Sequence, residues 1–253
     1  MALPLPLRPM ETAEHRLIAR ILDGTYAIGT RLPPERDLAA QLGVTRPTLR
    51  EAMRHLEQEG WLRVQHGKPT LVQDFWREGG LGVLTRIIGH RGVIHSDFIT
   101  NLLELRLLIA PTYTQAAVAH QPVLIQTCFA LRPPRQADAA AYAAFDWMLQ
   151  RTITVASGNV IFPLLLNGFA AFYEQMALIY FQPLEARTAS ANYYDALETA
   201  LRQGDSAGAF TLTQDVMRLS IAYWRMVSSG LTEIALVNHT PFNNDDPMGR
   251  EGL

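Results

Sequence analysis

Three arginines, Arg46, Arg50 and Arg54, recur at intervals of four residues. On a helix that interval sets them along one face. A guanidinium fork is shaped for bidentate contact with guanine O6 and N7, and Arg46 and Arg50 are the candidates for it. Leu49, Ala52, Met53 and Leu56 fall on the other face, so one helix both packs and presents positive charge. Thr45 precedes the run as a candidate N-cap, and its hydroxyl and the helix N-terminus suit a phosphate. Arg36 stands in the first turn of the preceding predicted helix, placed for a phosphate or a base edge. Helical arginines are ordinarily a solvated face. These differ because they occupy the N-terminal half of a helix that follows a tight turn, the half that enters a major groove in helix-turn-helix proteins. His66, Gly67 and Lys68 come next, in a turn between two alternating segments. There Gly67 lets the backbone approach a minor-groove floor without a Cβ. Lys68 is placed for the DNA backbone or a groove edge, and it is the only lysine among 22 basic residues.

A second group of residues suggests a ligand tunnel rather than a surface. Leu102, Leu105, Leu166, Tyr173, Tyr180, Tyr194 and Trp224 are bulky or amphipathic residues in helix-forming stretches. Ser220 lies one helical turn before Trp224, on the same face. Leucines and aromatics at helical spacing are ordinarily core, so spacing alone assigns them no ligand. Catalytic patterns are missing: there is no Gly-x-Ser-x-Gly elbow, no Walker loop and no His-Glu-x-x-His. Cys128, the one cysteine, has no evident His partner and reads as a small apolar residue, not a nucleophile. An enzyme is therefore not expected.

These groups need elements to hold them. Glu11 to Leu22 reads as a helix with Leu17, Ile18, Ile21 and Leu22 as its stripe. A short helix begins at Pro34, with Leu38, Ala39 and Leu42 inside and Gly43 as its stop. Gly43-Val-Thr then leads into the arginine helix, which runs to about Glu59. Alternating segments 61–65 and 70–73 read as a hairpin. Three helices followed by a hairpin is the order of a winged helix. Residues 79–228 show no further strand cluster and read as about seven helices, near 80–90, 96–119, 122–131, 137–156, 159–181, 184–203 and 205–228. The stretch from Val160 to Phe181 is apolar, but Asn167, Glu174 and Gln175 interrupt it, so it reads as a buried core helix and not a membrane span.

The fold class expected is mainly α: an N-terminal winged helix-turn-helix with a small β hairpin over 1–78, then an all-α helical-bundle ligand domain over 79–228. Residues 229–253 are expected to be a partly mobile tail. Length agrees, since 253 residues make one large domain or two modest ones. Hydrophobic residues at 48% and charged residues at 18% exclude a mainly disordered chain. Charge is uninformative. Residues 1–78 carry 11 Lys plus Arg against 10 Asp plus Glu, a net of +1, so nucleic acid is suggested by local pattern only. A single cysteine and the absence of a visible signal peptide fit a reducing cytoplasm.

The segments Gly29-Thr-Arg-Leu-Pro-Pro-Glu-Arg-Asp-Leu-Ala, Gly43-Val-Thr-Arg-Pro-Thr-Leu-Arg-Glu-Ala and Glu59-Gly-Trp resemble the GntR family of bacterial transcription regulators. Further stretches resemble the FadR branch of that family. These are Trp61-Leu-Arg-Val-Gln-His-Gly-Lys-Pro-Thr, Asp74-Phe-Trp, Asn101-Leu-Leu-Glu-Leu-Arg106, Ala156-Ser-Gly-Asn159, Leu166-Asn-Gly168, Tyr180-Phe-Gln-Pro-Leu-Glu-Ala-Arg187 and Trp224-Arg-Met226. The resemblance covers roughly residues 10–228. It implies a homodimer on a palindromic double-stranded operator with guanine-rich half-sites, repressing fatty-acid degradation genes and activating some synthesis genes. It also implies release from DNA by long-chain acyl-CoA bound in the helical domain, with no cofactor and no membrane. Carried over by position, the DNA contacts are Arg36, Thr45, Arg46, Arg50, His66, Gly67 and Lys68. The resemblance implies an effector site at Tyr180, Ser220 and Trp224; Leu102, Tyr173 and Tyr194 stay candidates by residue type, and Arg106 is a candidate for a CoA phosphate or the thioester region. Pro47 departs from the FadR branch, which has threonine there. Met217 departs where that branch has glycine, and a larger side chain there is expected to narrow the cavity and shift chain-length preference.

Relatives with a similar helical domain that bind small acids through a metal use an Asp, a His four residues on, and two later histidines. Here Asp146 is followed at that spacing by Gln150, and no His occurs between His120 and His239. No metal site is expected. The alternative reading is a GntR-family regulator responding to a different small-molecule metabolite.

Overall fold

The computed structural model describes residues 8–65, 67–89 and 96–235. It begins with α1 (Pro9–Leu22), α2 (Glu35–Leu42) and α3 (Arg46–Glu59). Leu17, Ile18, Leu38, Leu42, Leu49 and Leu56 are fully buried where these three helices meet. Gly43 ends α2 in the left-handed region at φ 66°, which turns the chain into the next helix. Thr45 caps α3, its hydroxyl accepting from the Thr48 N–H at 3.3 Å. Pro47 falls in the first turn of α3, where its missing N–H removes no helical bond.

The wing is smaller than the alternation predicts. β1 (Leu62–Arg63) and β2 (Leu71–Val72) pair antiparallel, Leu62 with Val72 and Arg63 with Leu71. Arg31 bridges Leu71 from the other side, with Gly29 and Leu32 donating backbone bonds to Val72 and Thr70. The α1–α2 connection therefore supplies a third edge that no hydrophobic alternation marks. Trp61 and Leu62 are buried beneath the sheet.

A short turn of helix, α4 (Phe75–Glu78), leads to α5 (Leu81–Gly89). The effector half follows as α6 (Ser96–His120), α7 (Pro122–Phe129), α8 (Ala139–Ala156), α9 (Ile161–Gly168), α10 (Ala170–Tyr180), α11 (Leu184–Gln203) and α12 (Ser206–Ala235). Helix α8 touches α6, α7, α9 and α10, and its Tyr142, Phe145, Leu149 and Ile153 form the centre of the core. Helix α6 lies along α12, and α11 packs against α12 and α7. None of the described helices is long and apolar enough to cross a membrane.

Two expectations change. The helix predicted over 159–181 is two helices, broken at Phe169 (φ −101°, ψ 2°) after Asn167 and Gly168, both poor helix formers. It is also not wholly buried: Val160, Ile161 and Leu164 are more than half exposed. The last helix runs to Ala235, seven residues beyond the end predicted at 228, and residues 236–253 lie outside the described ones.

Candidate functional site

Two sites are built by this fold. On the first domain, Leu49, Ala52, Met53 and Leu56 are buried, which leaves Arg46, Arg50 and Arg54 on the exposed face of α3. From Arg46 to Arg54 that row rises about 12 Å, matching the width of a major groove. Arg50 is not loose. Its Nε donates to Glu35 Oε2 at 2.8 Å, so the first turn of α2 steadies it. Arg36 pairs with its neighbour Asp37 at 3.0 Å and stays largely exposed. The Thr45 hydroxyl is engaged by its cap and by the Thr48 hydroxyl at 2.8 Å. Gly67 sits in the left-handed region at φ 73°, with open space where a Cβ would stand. Lys68 beside it is exposed, its N–H closing the wing turn on the Gln65 carbonyl at 3.0 Å. His66 lies outside the described residues.

The second site is a cavity among α6, α8, α9, α10, α11 and α12. Along α6 its wall extends from Ile99 to Tyr113, about 21 Å of helix. Leu102, Leu105, Arg106, Leu166, Tyr173, Tyr180, Ser220 and Trp224 all face it, and so does Met217. Tyr194 does not; it is fully buried behind the wall, where its hydroxyl donates to Asp146 Oδ1 at 2.9 Å.

Ile99, Leu102, Leu103, Phe169, Met176 and Trp224 make one end of the cavity apolar. Near it, Ser220 Oγ donates to the Val216 carbonyl at 2.8 Å and so serves as acceptor for the Tyr180 hydroxyl at 3.1 Å. The other end is polar, which residue spacing did not indicate. Tyr113 donates to Gln150 at 2.8 Å, and Tyr173 and Tyr194 donate to separate oxygens of Asp146. Asp146 and Gln150, singled out in the sequence only as an incomplete metal pattern, therefore belong to a hydroxyl network. Among the described residues no three His, Cys, Asp or Glu side chains gather as metal ligands.

Arg106 is the exception in this network. Its Nε and Nη2 are shut off from water and have no hydrogen-bond acceptor, while its guanidinium lies over the Tyr173 ring at 5.5 Å from the centroid. Burial opposes its charge, but Tyr113, Tyr173 and Asp146 outweigh that and hold it protonated. Burial likewise raises the Tyr113, Tyr173, Tyr180, Tyr193 and Tyr194 hydroxyls above the usual tyrosine range, so all remain donors. A buried donor without an acceptor costs roughly 1–3 kcal/mol, more when charged. Trp224 Nε1 is a second such donor. The cavity thus offers an apolar channel and at least two unanswered N–H groups, the complement of an amphiphile with acceptor oxygens.

Comparison with known proteins covers both halves of the chain. Residues 9–72 match the family described as bacterial regulatory proteins, gntR family, and residues 73–235 match the FadR C-terminal domain. The chain is 36% identical to the fatty acid metabolism regulator protein of Shewanella frigidimarina over 190 residues, 75% of this chain and 80% of that protein. It is 37% identical to the protein of the same name from Yersinia pestis over 193 residues, 76% and 80% of the two chains. The solved structure of Lar, which controls the Listeria monocytogenes agr system, shares the fold, with a TM-score of 0.57 at 14% identity over 88% of this chain and 99% of that one. The two family matches together span residues 9–235, and the relatives are more than 30% identical over most of their length: the chain belongs to the GntR family of bacterial transcription regulators, in the FadR group of fatty-acid metabolism regulators.

Proposed function

We propose that a homodimer of this chain binds a palindromic operator through its two winged helices and is released when long-chain acyl-CoA enters the cavity. Arg46 and Arg50 read guanines. Arg36, Thr45 and Lys68 hold phosphates or a groove edge, and Gly67 permits close approach of the wing. The observation that carries the effector reading is the cavity's apolar channel, which ends at Trp224 and the Tyr180–Ser220 pair. An acyl chain matches its wall, whereas the polar CoA moiety has no place in it and stays at the mouth. Release follows if the ligand-filled domain favours a different placement of the winged helices, and only by the ligand's affinity difference between the two placements. By analogy with its relatives, the dimer represses degradation genes and activates synthesis genes in the cytoplasm, without a cofactor. Fluorescence anisotropy of a labelled palindrome at fixed salt tests this reading, with titration of palmitoyl-CoA, palmitate and CoA in turn. Release by palmitoyl-CoA alone is the expected result, and tight binding that ignores it sinks the reading.

Arg106 favours a second reading. Two unanswered guanidinium atoms at the polar end of the cavity suit a carboxylate, so an amphiphilic metabolite carrying its own carboxylate is the competing effector. Release by palmitate in the same titration selects it.

A further inference from the structure

Helix α5 belongs to both halves of the molecule. Val83 and Ile87 are buried in the core of the winged helix. Leu84 packs instead on the cluster of Ile99 and Trp224, whose members Leu102, Leu103, Phe169 and Met176 line the cavity. Gly168, at the break before α10, faces Thr85: a Cβ there would meet its Oγ1 at 3.9 Å, an ordinary contact. A change in the apolar end of the cavity therefore presses directly on α5.

Arg86 leaves α5 toward the DNA-binding domain. Its Nη2 lies 2.8 Å from Glu14 Oε2 and 3.1 Å from Glu59 Oε1, and its Nε donates to Glu59 at 3.2 and 3.3 Å. Glu14 is in α1 with its side chain only 2% exposed, and its other oxygen meets His55 Nδ1 of α3 at 3.2 Å. Glu59 is the last residue of the recognition helix. One guanidinium thus ties α1, the C-terminal end of α3 and the helix that abuts the effector cavity. A planar fork shared by two carboxylates holds direction as well as distance, which a lysine cannot reproduce.

We infer that Arg86 is a positioning residue for operator binding: through Glu59 and Glu14 it sets the angle of the recognition helix according to the state of the cavity. This inference rests on the effector reading above for its signal, though not for its mechanical part. Packing across α5 then carries the pocket's state to the joint, and the joint carries it to the arginine row.

The test uses the full chain and a labelled operator. The coupling factor is the operator Kd at saturating palmitoyl-CoA divided by the Kd without it, and natural couplings are roughly 5–150-fold. Glu59→Gln loosens the recognition helix while leaving the Glu14–Arg86 contact. The double variant Glu14→Gln with Arg86→Gln removes the joint without stranding a buried carboxylate. Both are expected to bring the factor to within about twofold of one, while palmitoyl-CoA binding without DNA, read by calorimetry, changes less than about twofold. An unchanged factor in folded Glu59→Gln overturns the inference. If the unsubstituted protein shows no coupling, the acyl-CoA reading falls, and the joint is judged by effector-free operator affinity. A drop of about tenfold in Glu59→Gln then supports the joint, and no change overturns it.

Discussion

Arg50 is already oriented before DNA arrives, because Glu35 holds its Nε at 2.8 Å. Steadied arginines lose less freedom on contact, so Arg50 is the residue whose loss should be read most cleanly. Arg50→Ala is expected to weaken operator binding by about 1–3 kcal/mol and to relax preference at one base pair, measured by anisotropy on a set of single-base variants. Lys68 is exposed at the wing tip and is expected to act through phosphate. Lys68→Ala should weaken all sequences alike and lower the slope of log K against log salt by about 1. In the cavity, Met217 is buried and faces the channel one turn before Ser220. Met217→Gly should lengthen the channel and shift release toward longer acyl chains. A set of acyl-CoAs of increasing length checks this, and an unchanged order of potency counts against Met217 as the stop. The arginine face of α3 was legible because it depends on helical spacing alone. The polar end of the cavity was not, since Tyr113, Asp146 and Gln150 are brought together from α6 and α8 only by packing.

At the scale of elements, the helix-turn-helix is a product of local rules. Thr45, Pro47, the buried Leu49–Leu56 face and Gly43 each mark a boundary or a face that the structure keeps. Thr45→Ala removes the cap of α3 and is expected to cost about 0.5–2 kcal/mol in denaturant unfolding, with operator affinity falling alongside. The wing and the 159–181 segment show where local rules stop. The hairpin has only two residues per strand, and its third edge comes from Arg31, far back in the chain. The break at Phe169 also sends that ring to the cavity wall, and an unbroken apolar run did not announce it.

For the whole molecule, five tyrosines raised by burial set the response to alkali. Unfolded tyrosines ionise near pH 10, whereas these stay protonated, so the native state binds more protons above about pH 10. Stability is therefore complete below pH 10 and falls as pH rises beyond it. Thermal melts from pH 8 to 11 check the sign, and stability that rises across that range would refute the buried-hydroxyl picture. Regulation is also a property of the whole molecule. Inverting a 99:1 preference for the binding-competent form needs an effector that prefers the other form by roughly 10⁴-fold, about 5.5 kcal/mol. A helix shared by two cores, such as α5, is where such a preference can act, because packed interfaces have alternative arrangements rather than a continuum.

The sequence by itself determined the two-part plan, the arginine face and the family, because periodicity, caps and a run of matched residues are local facts that survive without coordinates. It also named part of the cavity wall, with Tyr180, Ser220 and Trp224 singled out by resemblance: nothing in their spacing separates a channel from an ordinary core. Tertiary structure decided the rest. It placed Tyr194 behind the wall, left two guanidinium atoms of Arg106 unanswered inside it, and joined Glu14, Glu59 and Arg86 across three helices. Those are facts about which side chains meet after residues tens of positions apart are packed together. No local pattern encodes them, because burial and partnership belong to the folded neighbourhood and not to the residue.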